Sequence, residues 1–172
     1  MGKSLNTTLN ILDSVSIYTG KLFSWLLLPM VASLVYEVIV RYLFASPTIW
    51  AGDLTCMLCG TLSMFGAVYT LQNKMHISCD FIYRLWPKRL QALVDILLYL
   101  FLFFPSMGIF LWKGWEFALI SWIQKERLIT GPWMPPAYPV KMVIPIATAL
   151  LLLQGVSEFV KRFYVFVRNR DL

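Results

Sequence analysis

Charge and histidine are scarce in this chain. Asp, Glu, Lys and Arg make up 14% of its 172 residues, against roughly 25% in an ordinary soluble domain. His76 is the single histidine. Two imidazoles therefore cannot hold a b-type haem, and a His-rich metal site is excluded. No Ser-His-Asp set falls within one membrane leaflet, no Gly-rich phosphate loop occurs, and no zinc-ligand spacing is found. There is no internal repeat or low-complexity tract. The sequence calls for no cofactor, and an enzymatic reading has little to stand on.

Apolar length is what the chain has instead. Hydrophobic residues make up 59% of it, and a helix needs about 20 mostly apolar residues to cross the roughly 30 Å hydrocarbon layer. Four runs qualify: Leu22–Phe44, Trp50–Gln72, Leu90–Trp122 and Val140–Phe159. Residues 1–172 read as a single all-α membrane domain, with spans at about 22–44, 50–72, 92–119 and 140–159. The first run is about 23 residues long, beyond the roughly 7–15 of a secretory signal core, so it reads as an uncleaved span.

Lys and Arg set the orientation of such a chain. Ten of them (Lys3, Lys21, Lys74, Arg84, Lys88, Arg89, Lys161, Arg162, Arg168 and Arg170) fall on the side that holds both termini. Five (Arg41, Lys113, Lys125, Arg127 and Lys141) fall on the other. Both termini are expected in the cytoplasm. The formal net charge of +6 is then membrane topology, and no nucleic-acid partner follows from it, because the basic residues flank spans and form no single exposed patch.

Residues 1–21 read as a polar entry segment, a short helix lying on the membrane ahead of span one, in which Pro29 is expected to produce a mild kink. In span two, Gly52, Cys56, Cys59, Ser63, Gly66 and Thr70 recur at spacings of 4, 3, 4, 3 and 4. Lipid gives apolar side chains no reason to prefer one another, so helices associate where small residues let backbones approach. This seam predicts a helix packed along span two, from this chain or another. Between spans two and three, Ile77, Phe81 and Leu85 share a helical face beside His76, Asp80 and Arg84. That pattern predicts a short interfacial helix over about 75–86, stopped by Pro87. Span three is bulky and aromatic, with Trp112, Trp115 and Trp122 marking the outer headgroup zone. The outward loop "QKERLITGPWMPPAYP", stiffened by proline and carrying Trp133 and Tyr138, has the length of loops that usually serve a function.

Two constellations carry candidate chemistry. Glu37 and Arg41 lie about 10 Å and about 4–5 Å below the end of span one, at 1.5 Å per residue. They are expected to pair on one face, with Asp53 at similar depth completing an ion-pair network. Cys56 and Cys59, at i and i+3, are roughly within disulfide range. That is the motif of a four-span thiol–quinone oxidoreductase, the alternative reading. Such an oxidase also needs thiols in its second outward loop, and residues 122–139 contain none.

The run "YEVIVRYLF…TIWAGDLTCMLCGTLSMFGAVYTLQNKMHISCDFIYRLWPKRLQALVDI" resembles the small membrane subunit of tripartite ATP-independent periplasmic (TRAP) transporters. The features that carry the resemblance are Arg41-Tyr42, Trp50 with Asp53, Gly66-Ala67, His76-Ile77 with Asp80, and Pro87-Lys88-Arg89. Ser78 and Cys79 depart from the family's Arg and Val. The resemblance is greatest to the branch associated with 2-oxo acids, hydroxy acids and related organic acids. It implies a multi-pass bacterial inner-membrane subunit that performs no chemistry. Its implied partners are a large membrane subunit, which carries substrate and sodium, and a periplasmic substrate-binding protein docked by the outward loop.

Overall fold

Inside hydrocarbon every backbone N–H and C=O must be paired within the protein, so an apolar chain of this kind folds as helices. The computed structural model describes residues 3–72, 88–129 and 132–168, and these are helical apart from turns and one isolated antiparallel bridge, Arg127 to Pro136. The helices are α1 (Lys3–Ser24), α2 (Leu27–Leu43), α3 (Ala51–Gln72), α4 (Lys88–Leu98), α5 (Phe104–Ile123) and α6 (Tyr138–Arg168), with a π-helical turn at Tyr99–Phe103 joining α4 to α5. Four stretches are long and apolar enough to cross a bilayer: Leu12–Leu43, Ala51–Gln72, Leu93–Ile123 and Tyr138–Tyr164. The interfacial helix expected over about 75–86, with His76, Asp80 and Arg84, lies outside the described residues.

The N-terminal segment is helical as expected, but longer and packed into the bundle. From Lys3 to Ser24 it is helix α1, which packs on α3 and α6 and leads directly into α2. The reason is a polar face on α1 that finds partners on α6, described below. Pro29 accounts for the break between α1 and α2. It has no N–H to give the Trp25 carbonyl, which would be its partner in a regular α-helix. That carbonyl accepts instead from Leu28 N–H at 3.2 Å, and Leu26 N–H donates to the Phe23 carbonyl at 3.0 Å. The helix tightens into a single 3₁₀-like turn there and resumes. Pro105 has a parallel effect in span three. The π turn ends at Phe103, two residues before it, closed by Phe104 N–H to the Tyr99 carbonyl.

Helix α6 is the centre of the bundle. It packs against α1, α3, α4 and α5, whereas α2 packs mainly on α3. Close approach of α5 to α6 is made by Gly114, Ala118 and Ser121, buried at i, i+4 and i+7. A Cβ on Gly114 would sit 3.2 Å from Ile144. This second small-residue seam was present in the sequence of span three, where bulky aromatics dominate the reading. On α3 the buried residues are Ala51, Phe65, Val68 and Leu71. Phe65 stacks on Phe23 with ring centroids 3.6 Å apart. The Ser33 and Thr55 hydroxyls meet at 3.0 Å between α2 and α3.

Glycine has opposite meanings at two places. A Cβ at Gly20 would lie 2.7 Å from the Tyr69 Cβ, an atom that cannot swing away, whereas at Gly52 it would meet nothing within 4 Å. Gly20→Ala should therefore destabilise the α1–α3 contact by about 1–3 kcal/mol, the usual scale of overpacking. Gly52→Ala should be neutral or stabilising, since Ala is the better helix former. Thermal unfolding of the purified variants in mild detergent checks both.

Candidate functional site

The end of the bundle that carries the α2–α3 turn and the α5–α6 connection holds two polar clusters. In the first, Glu37 is buried by position near the end of α2. Its Oε1 accepts from Arg41 Nη2 at 2.6 Å and Nε at 3.0 Å. Its Oε2 accepts from the Thr48 backbone N–H at 3.0 Å and from the Thr48 hydroxyl. One carboxylate thus ties the helix to the turn that follows it, where Ala45 takes a φ of +50°. Asp53 does not join this cluster. Its Oδ2 is buried without a hydrogen-bond partner, and Thr48, unremarked in the sequence, takes the third place. A turn hydroxyl with an adjacent N–H can satisfy a carboxylate without adding a second negative charge beside it.

In the second cluster Glu126 folds back under the α5–α6 connection. Its Oε2 accepts from Lys141 Nζ and, at 2.7 Å, from the Ser121 hydroxyl. Lys141 also lies over the Phe117 ring, 4.1 Å from its centroid. Backbone bonds from Leu128 N–H to the Pro135 carbonyl and from Ala137 N–H to the Glu126 carbonyl, both 2.9 Å, draw the two arms of the loop together. Trp133 is exposed, whereas Tyr138 opens α6 and packs edge-on against Trp122 at 5.0 Å. The structure therefore separates the two aromatic residues expected to act together on the loop.

Span two shows its small-residue seam outward. Gly52, Cys56, Cys59 and Ser63 are exposed, and Gly66 and Thr70 are half-buried. No atom outside the local helix backbone lies within 4 Å of a Cβ built at Gly52, Gly60 or Gly66. Cys56 and Cys59 are free thiols. The helix expected along this seam is not one of this chain's described helices, which pack on the opposite face of α3 instead.

The far end of the bundle holds a polar network that escaped the sequence reading. Lys161 on α6 donates to Asp13 on α1, at 2.8 Å to Oδ2 and 3.1 Å to Oδ1, and to Glu158 Oε1 at 2.7 Å. Asp13 Oδ1 also accepts from Gln154 Nε2 at 3.0 Å and from Ser157 Oγ at 3.1 Å. Ser16 Oγ donates to Gln154 Oε1 at 2.7 Å. Arg162 faces Asp95 at 3.2 Å. Gln154 and Ser157 are fully buried, and Glu158 is 3% exposed. A signal existed: Gln154, Ser157, Glu158 and Lys161 recur at helical spacing on one face of α6, which marks an intramembrane polar stripe in need of a partner.

The fold is that of a multi-pass α-helical membrane protein. Residues 30–164 match the family described as tripartite ATP-independent periplasmic transporters, DctQ component. The chain belongs to this family and is thus a subunit of a TRAP transporter in the bacterial inner membrane. It is also similar to the sialic acid TRAP transporter permease protein SiaT of Haemophilus influenzae (strain 86-028NP), at 27% identity over 99 residues, covering 51% of this chain and 16% of SiaT. The chain therefore spans about a sixth of the length of that relative. Asp13 and Ser16 precede the family match, whereas their partners on α6 lie inside it.

Two expectations follow from these geometries. Lys161→Met strands both Asp13 and Glu158, whereas Asp13→Asn leaves Lys161 paired with Glu158. The first should cost about 3 kcal/mol, the low end for breaking a buried pair, because the Lys161 side chain is 22% exposed. The second should cost clearly less. Equal losses on thermal unfolding in detergent would contradict the shared-cation arrangement. Glu126 lies outside the four spans, and the Lys141 hydrogen bond, aided by Ser121, holds its carboxyl below the ordinary 4.5. A depressed folded pKa stabilises above the unfolded value and loses that contribution as pH falls through the folded one. Protection of the Leu128 and Ala137 amides, corrected for intrinsic exchange, should therefore hold at pH 7 and fall only below about 4.5. Glu126→Gln should abolish that pH dependence.

Proposed function

We propose that this chain is the small scaffold subunit of a secondary transporter, packing beside and stabilising a large transport subunit and performing no catalysis. The observation that carries this reading is the face of α3 that holds Gly52, Cys56, Cys59 and Ser63. It is small, exposed, and free of this chain's own described helices. In lipid such a face gains little from remaining solvated by acyl chains and much from a second helix that can approach closely. SiaT supports the reading, since the matched stretch is 16% of a permease protein whose remainder lies beyond it.

Both termini lie in the cytoplasm in this reading, so the α2–α3 turn and the α5–α6 loop face the periplasm and a soluble binding protein. The substrate is an organic acid taken up with sodium. Resemblance to the organic-acid branch supports that choice, as does the name of SiaT, whose sialic acid is itself a carboxylic acid. Family membership favours transport over thiol–quinone chemistry at Cys56 and Cys59.

The test is co-purification in mild detergent. The chain should bring down a much larger membrane protein, and Gly60→Leu with Ser63→Leu should release it while leaving the isolated chain's thermal stability unchanged. Full co-purification and full uptake by that double variant would refute the assigned face.

A further inference from the structure

The first membrane stretch, Leu12–Leu43, holds four charged residues: Asp13, Lys21, Glu37 and Arg41. Asp13 is met by Lys161, and Glu37 by Arg41. Among the described residues Lys21 has no ion-pair partner. An ammonium on an apolar helix that no carboxylate offsets reaches for water or for an anion at the headgroups. Depth favours the headgroups. Gly20, the residue before it, lies against Tyr69, and α3 ends three residues later at Gln72. That is about 4–5 Å from the helix end at 1.5 Å per residue, within the reach of a lysine side chain.

Lys21 is exposed and also borders a cavity of about 250 Å³ between α1 and α3, with Phe23, Ser24, Leu62, Gly66 and Tyr69 on its walls. Phe23 is fixed by stacking on Phe65, ring centroids 3.6 Å apart. Gly66 leaves the α3 side open, since an added Cβ would meet nothing within 4 Å there. Ser24 gives its hydroxyl proton to the Lys21 carbonyl at 2.7 Å, so the ammonium and not this hydroxyl is left to meet an anion.

Size decides between two occupants. A helix with its side chains is about 10–12 Å across, whereas a space of 250 Å³ is about 8 Å across even as a sphere. A partner helix cannot enter it. A hydrocarbon chain can, and a phospholipid carries such a chain together with the anion that Lys21 lacks.

We propose that Lys21 and this cavity form a phospholipid site. The lipid phosphate pairs with the Lys21 ammonium, a charge-assisted contact, and one acyl chain runs into the space beside Gly66. The site depends neither on which partner the α3 face takes nor on which side of the membrane this end lies.

The test titrates dioleoyl phosphatidylglycerol into the full chain in mild detergent and counts bound lipid by native mass spectrometry. Lys21→Gln should raise the half-saturating lipid concentration by about fivefold, the scale of one basic residue at an anionic surface. Lys21→Arg should match the unaltered chain. Gly66→Leu, which fills the cavity and keeps the charge, should weaken binding at least as much as Lys21→Gln. Dioleoylglycerol, with the same chains and no phosphate, and inorganic phosphate, with no chains, should each leave the site largely empty at the same concentrations. Thermal unfolding of each variant confirms that it is folded. Unchanged binding in Lys21→Gln would overturn the proposal. So would equal occupancy by inorganic phosphate, which would make this a site for soluble anions. Undiminished lipid binding in Gly66→Leu would also overturn it, by reducing the contact to a headgroup on the surface.

Discussion

Lys161 sits where α1, α6 and two carboxylates meet, and the arrangement of the bundle's far end follows from how that charge is satisfied. An ammonium in a largely apolar layer is costly unless opposite charge and hydrogen-bond acceptors surround it. Glu158 alone, one turn away on the same helix, would serve it from one side. Asp13 serves it from another, and doing so requires α1 to lie along α6. Gln154 and Ser157 then complete the coordination of Asp13. A segment that composition alone would leave on the membrane surface is thereby drawn into the bundle, and the first span becomes a bent, 32-residue stretch.

With α1 held against α6, α3 has one face committed and one free of the described helices. Phe65, Val68 and Leu71 pack inward, and Gly20 lets Tyr69 approach α1. Gly52, Cys56, Cys59 and Ser63 are left facing away from the described helices. In water, exposed glycine and serine would be unremarkable. In lipid the same residues mark where another backbone can come near, because van der Waals contact between closely spaced helices replaces the hydrophobic effect as the driving force. The bundle's two ends are built alike in this respect. At each, a carboxylate joins a helix to its neighbour or its following turn, Asp13 at one end and Glu37 and Glu126 at the other.

Much of this was legible in the residues. Run length identified the four crossings, and i, i+4 spacing paired Glu37 with Arg41. Local sequence was a poorer guide to the remaining partners. Asp53 was expected beside Glu37, yet its Oδ2 is buried without a partner, and Thr48 meets the Glu37 carboxylate from the turn. The α3 seam announced a helix–helix contact without saying whose helix. The seam at Gly114, Ala118 and Ser121, which α6 does use, was hidden among tryptophans and phenylalanines. Tyr138 reads as a loop aromatic until the α6 boundary places it against Trp122.

The sequence by itself determined the class of the protein: helices and four crossings. Those properties depend on run length and periodicity, which are local. Only the tertiary structure decided which polar groups share a charge, which small-residue face is filled by this chain, and which residues of the α5–α6 connection turn inward. Each of those depends on residues far apart in the chain, such as Asp13 and Lys161, arriving at hydrogen-bond distance. No local pattern encodes that distance.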